Sequence, residues 1–85
     1  MYVICVYDVE SKRCNKYLKV LRKYLFHTQN SVFEGELTQN QLDRLIEDIN
    51  KFRTKDDKIS FYYVYKNKEL QVKKLGQSQD DGFVF

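Results

Sequence analysis

Eighty-five residues, 42% hydrophobic and 15% aromatic, are expected to form one small domain over 1–85, too short for two independent cores. Such a chain buries only about 60–65% of the surface its unfolded state exposes, so self-association is expected to complete its core. The two cysteines lack CxxC spacing, which argues against a disulfide framework or zinc centre; no stretch approaches membrane-spanning length, and a net charge of +3 does not by itself define a partner.

In chain order, Met1 to Glu10 (MYVICVYDVE) opens with seven apolar or aromatic side chains and then a carboxylate, Asp8. Such a run predicts a strand buried on both faces, at the centre of a sheet, with Asp8 held where the strand leaves the core. Ser11 is placed to cap a helix whose apolar positions are Cys14, Tyr17, Leu18, Leu21 and Leu25, with Tyr24 at the margin. The opposite face is basic: from Lys12 to Lys23 there are six basic residues and no acid, and Lys12, Lys16, Lys19 and Lys23 fall within about 60° on a helical wheel. A lysine face is most often a solvated surface; without acids at i,i+4, it also suits phosphate contacts. From Glu34 to Asp48, by contrast, five acids stand against one arginine.

Residues 29–37 (QNSVFEGEL) predict a second strand, with Val32 and Phe33 on opposite faces and Gly35 marking a bulge or a close backbone approach. Thr38 and Gln41 stand at capping-box spacing ahead of a helical stripe of Leu42, Leu45, Ile46, Ile49 and Phe52 that ends near Arg53. Lys58 to Tyr65 predicts an aromatic third strand, and Asn67 turns the chain into a fourth at 69–75. The elements are assigned to an α+β, ferredoxin-like βαββαβ sandwich with both helices on one face. The first and third strands are apolar on both faces, so two copies are expected to pack sheet against sheet as a homodimer. The tail from 76 to 85 ends in Phe83, Val84 and Phe85 and is expected to dock on a sheet edge as a short fifth strand, in its own chain or its partner.

The catalytic inventory is short. There is no glycine-rich phosphate loop, and the one histidine, His27, most simply reads as a surface or turn residue. An aspartate at a strand end usually caps or turns. Two copies of Asp8 facing each other across a dimer axis would instead suit Mg2+, a hard cation that prefers oxygen ligands.

The segments VYDVESKRCNK and QNSVFEGEL, with the aromatic third strand, closely resemble the small CRISPR-associated endoribonuclease family, which accompanies the CRISPR integrase in the adaptation module. The resemblance implies a ferredoxin-like homodimer with magnesium-dependent nuclease activity on RNA or double-stranded DNA and a role in spacer acquisition; the two cysteines, read as reduced packing residues, separately lead one to expect a cytoplasmic protein. Carried over residue by residue, it places the metal-binding aspartate at Asp8 and the preceding tyrosine at Tyr7. Lys12, Arg13 and Lys16 match its basic residues, and Ser31 and Phe33 match its SVFEG motif. Arg13 and Lys12, Lys16, Lys19 and Lys23 are the expected nucleic-acid contacts; Tyr7, Asp8, Arg13, Ser31 and Phe33 are the expected catalytic group. Two departures, Cys14 in place of the second arginine of a basic pair and His27-Thr28 where an arginine is common, predict weak cleavage. A dimeric scaffold bridging integrase copies and gripping DNA phosphates is the alternative, and a ribonuclease toxin of related fold is a third.

Overall fold

The structure, a computed structural model, describes residues 1–66 and 68–76. Strand β1 (Tyr2–Asp8) leads through a 3-10 turn (Ser11–Arg13) into helix α1 (Cys14–Leu21). Strands β2 (Phe26–Gln29) and β3 (Val32–Glu36) follow, then helix α2 (Gln39–Asn50), β4 (Lys58–Val64) and β5 (Leu70–Leu75). All the strands pair antiparallel, in the order β2-β3-β1-β4-β5. The first six regular elements, β1-α1-β2-β3-α2-β4, form the ferredoxin-like arrangement, and β5 extends the sheet beyond β4.

One strand was expected over 29–37, and two are present around it. Phe26–Gln29 is a four-residue strand with every residue exposed, so it carries no buried periodic signal. Its pairing with β3 shifts register between His27 and Gln29, and His27 Nε2 lies 2.6 Å from the Asn30 carbonyl in the turn. The bulge therefore lies in β2 and not at Gly35. Gly35 instead marks a close approach: a Cβ there would sit 3.4 Å from the Leu25 side chain. The βαββαβ order assigned from the sequence is present, with Phe26–Gln29 as its second strand, and the strand expected over 69–75 follows it as a fifth. The turn at Asn67 and the docking of the tail lie outside the described residues.

The first helix is also shorter than its apolar stripe. Ser11 makes no capping hydrogen bond; the helix proper starts after Arg13 and ends at Leu21. Leu25 still reaches the core, because the chain closes in successive turns there, Leu25 N–H donating to the Leu21 carbonyl at 2.8 Å. Helix α2 begins as its sequence predicts. Thr38 Oγ1 accepts from Gln41 N–H at 3.1 Å while Thr38 N–H donates to Gln41 Oε1 at 2.8 Å, satisfying two otherwise orphaned donors.

Both helices cover one face of the sheet. Tyr17 and Leu21 of α1 and Leu42, Leu45 and Ile49 of α2 pack on Val3, Cys5, Phe33, Ile59 and Phe61, all fully or almost fully buried. Each such side chain contributes about 1.5–3 kcal/mol on leaving water. Strand β1 is central but buried on one face only: Ile4 and Val6, on the other, stay half-buried, and Tyr2 is exposed. Beside them on that open face lie Tyr62 and Val64 of β4 and the exposed Leu70 and Val72 of β5.

The end of β5 is tied to the α2–β4 loop through Gly76. Its φ of +76° lies in the left-handed region, and a Cβ there would stand 2.0 Å from the Asp57 carbonyl oxygen. Gly76→Ala is accordingly expected to lower stability by roughly 2–4 kcal/mol. Gly35→Ala, meeting only a flexible leucine end at 3.4 Å, should cost clearly less. Denaturant titration of both variants checks the ranking.

Candidate active site and basic helix

Alternation along β1 sends Tyr7 into the core and Asp8 to the open face at the strand's end. Tyr7 is 4% exposed, its ring stacked on Tyr17 at 5.7 Å and tilted against Phe33 at 6.3 Å. Burial raises its phenol above the usual tyrosine range, so it stays protonated at neutral pH. Its backbone N–H donates to the Ser31 carbonyl at 3.1 Å, holding the β2–β3 turn against the end of β1. Phe33 is fully buried and carries the His27 ring in a parallel stack at 4.5 Å. Tyr7, Ser31 and Phe33 thus meet around the end of β1 as a packing group that fixes where Asp8 emerges.

Asp8 is exposed, and the β1–β4 register sets Lys58 directly opposite. Among the described residues no group of three or more His, Cys, Asp or Glu side chains could enclose a metal ion. Magnesium commonly takes only one or two carboxylates and completes its shell with water and phosphate oxygens. An exposed carboxylate such as Asp8 could be one such ligand, and the remaining oxygens would have to come from water, substrate or another chain.

Arg13, expected to contact substrate, points inward. Its Nε donates to Asp57 Oδ1 and Oδ2 at 3.2 and 3.0 Å, and its terminal Nη2 lies 2.9 Å from Oδ2. The same nitrogen donates to the Phe52 carbonyl at 2.8 Å. Asp57, 1% exposed, also accepts from the Tyr17 hydroxyl at 2.7 Å and from Thr54 N–H at 3.2 Å. Burial pushes the Asp57 carboxyl up, but its bonds from Arg13, Tyr17 and Thr54 outweigh this and hold it down at about 2. Nothing in the loop sequence TKDDK separates Asp57 from the exposed Asp56; only the fold distinguishes them.

The remaining basic candidates stay in solvent. Lys16 and Lys19 are exposed on α1, Lys12 on the preceding 3-10 turn and Lys23 just past the helix. Among the described residues Lys12 has Glu10 at 3.9 Å, both side chains largely exposed, and Lys23 lies near enough to Asp48 to help lower that carboxyl. This row lies on the helix-covered side of the sheet, whereas Asp8 belongs to the open face.

The Asp57 pocket sets an acid limit on stability. A carboxyl depressed to about 2 in the folded chain contributes stability in full above the unfolded value near 4, and that contribution is lost as pH falls through about 2. Asp57→Asn should lower the melting temperature at pH 7 by roughly 10 °C and flatten its decline between about pH 4 and 2. Thermal melts across that range, wild type beside variant, measure both.

Comparison with known proteins supplies the context for this geometry. The family model described as CRISPR associated protein Cas2 matches residues 1–72. A Thermotoga maritima protein named CRISPR-associated endoribonuclease Cas2 is 42% identical over 87 residues, covering 100% of both chains. A Methanosarcina acetivorans protein of the same name is 39% identical over 82 residues, covering 95% of this chain and 94% of its own. A crystal structure of a cas2 protein superposes with a TM-score of 0.70 at 40% identity, over 100% of this chain and 97% of the other. With the strand order, the exposed aspartate ending β1 and the SVFEG segment in β3 all accounted for, the chain belongs to the Cas2 family of CRISPR-associated proteins.

Proposed function

We propose that the protein is a metal-dependent endonuclease of CRISPR adaptation that acts as a homodimer on RNA or double-stranded DNA. The observation that carries this reading is Asp8: an exposed carboxylate, rigidly placed at the end of the central strand, bordering an apolar sheet face that the helices leave open. The names of the relatives, CRISPR-associated endoribonuclease, support the same chemistry.

The open face supports the dimer. Tyr2, Ile4 and Val6 lie beside Tyr62 and Val64, with Leu70 and Val72 at the edge, and a second copy of the same sheet would cover them. A two-fold arrangement of this kind brings the two Asp8 side chains to one interface. Magnesium held there would polarise a phosphodiester and lower the pKa of a bound water. The chain's own residues supply the rest: Asp8 anchors and orients, the packed Tyr7–Phe33 group keeps the strand end from shifting, and the lysine row holds the nucleic-acid backbone. Arg13 serves in this reading by fixing the start of α1 and not by touching substrate.

The position of the lysine row favours the scaffold role beside catalysis. Lys12, Lys16 and Lys19 lie on the side of the sheet away from Asp8, where they can grip a duplex by its phosphates without reading its sequence while the dimer spaces two integrase copies. An enzyme that cleaved at Asp8 and gripped elsewhere would have two separable functions.

Asp8→Asn is expected to abolish magnesium-dependent cleavage of labelled RNA and duplex DNA while leaving the melting temperature and duplex affinity unchanged; residual cleavage equal to wild type would remove Asp8 from the mechanism. The double variant Lys16→Glu, Lys19→Glu should weaken duplex binding and reduce the slope of log affinity against log salt by roughly 1–2. Ile4→Lys, placing a charge in the middle of the open face, should shift the protein from dimer to monomer in sedimentation equilibrium.

A further inference from the structure

The lip of the sheet that holds Asp8 carries a second charged side chain that neither composition nor spacing singles out. Asp8 and Lys58 are the terminal pair of the β1–β4 ladder, and directly opposed residues of an antiparallel pair project to the same face. Both are exposed. The neighbouring strands stop short of them: the last β1–β3 pair is Val6 with Val32, and the last β4–β5 pair is Ile59 with Leu75. Asp8 and Lys58 therefore stand together at the end of the β1–β4 pair, past the last β3 and β5 pairings, with the β2–β3 turn beside Tyr7 and Gly76 beside Asp57. Among the described residues no ion pair or side-chain hydrogen bond joins them to each other or to a third group, so both heads are available.

The neighbour of Lys58 determines what that ammonium can do. Asp57 precedes it in the chain, yet its carboxylate is turned into the core and satisfied by Arg13, Tyr17 and Thr54. Its negative charge is thereby neutralised by Arg13 and does not engage Lys58, while the same bonds fix the backbone from which Lys58 projects. On the substrate side, a carboxylate alone repels a phosphodiester, and an adjacent cation removes that repulsion and attracts the phosphate.

We propose that Lys58 is a catalytic residue that contacts a non-bridging oxygen of the phosphate held at Asp8, drawing the phosphate to the lip and offsetting the charge that builds on it during cleavage. This rests on the nuclease reading of Asp8. Arg13 is turned to Asp57 on the helix-covered side, whereas Lys58 stands opposite Asp8 itself. A point charge on a four-carbon stem suits a single phosphate oxygen.

The test uses the full chain with Lys58→Ala and Lys58→Arg, each also combined with Asp8→Asn. Three quantities are measured: magnesium-dependent cleavage of labelled RNA, affinity for the same RNA in EDTA, and Mn2+ affinity by electron paramagnetic resonance. Lys58→Ala is expected to lower the cleavage rate by about tenfold or more and to weaken RNA binding in EDTA, also in the Asp8→Asn background. Mn2+ affinity should be unchanged or tighter, because removing a cation beside a metal-binding carboxylate cannot weaken it electrostatically, and Lys58→Arg should restore cleavage to within about threefold. Wild-type RNA affinity and cleavage in Lys58→Ala, or a loss of Mn2+ binding that Lys58→Arg does not restore, would overturn the proposal. Cleavage that persists in Asp8→Asn overturns the nuclease reading instead, and the EDTA binding of the Lys58 variants still reports whether the lysine contacts phosphate.

Discussion

A buried carboxylate is tolerable only when its oxygens are matched by donors, and Asp57 meets that condition with three groups drawn from three parts of the chain. Arg13 comes from the turn before α1, Tyr17 from α1 itself and Thr54 from the loop after α2. Arg13 extends the tie to the Phe52 carbonyl, and Gly76 packs on the Asp57 carbonyl at the end of β5. One residue thus joins both helical connections through its side chain and the last strand through its backbone, at the corner of the sheet where β1 ends and β4 begins. A domain this small has few core residues to spare, so a polar junction with every oxygen satisfied carries a large share of its specificity.

The covered and uncovered faces of the sheet divide the residues of β1. Two helices cover one side of a five-stranded sheet and leave the other without a layer. Val3, Cys5 and Tyr7 are consumed by the core, while Tyr2, Ile4 and Val6 lie on the uncovered face and Asp8 in solvent. Alternation along one strand therefore separates buried packing residues from exposed ones within seven residues. The Tyr7–Phe33–His27 stack is the covered side of that separation, and its rigidity is transmitted through the backbone to the carboxylate next in sequence.

Charge is partitioned in the same way. The lysines around α1 belong to the helical side, and the opposed Asp8 and Lys58 belong to the lip of the open side. A nucleic acid that met both would have to wrap the edge of the sheet or engage different copies of the protein. In the proposed dimeric nuclease, gripping and cutting would fall on separate surfaces.

The sequence by itself determined the central strand, the capped second helix and the exposed aspartate, because each is encoded locally. An apolar run ending in Asp8, a capping box at Thr38 and Gln41, and alternation through Lys58 to Val64 need no distant information. Only the tertiary structure decided the rest. Phe26–Gln29 is a strand solely because β3 pairs with it, its own residues being exposed throughout. Arg13 looks like its basic neighbours in the chain and is withdrawn from solvent by a partner 44 residues away. Lys58 acquires its meaning from register, since the residue opposite Asp8 is fixed by how β4 slides along β1, a choice set by the burial of Ile59 and Phe61 and not by Lys58 itself.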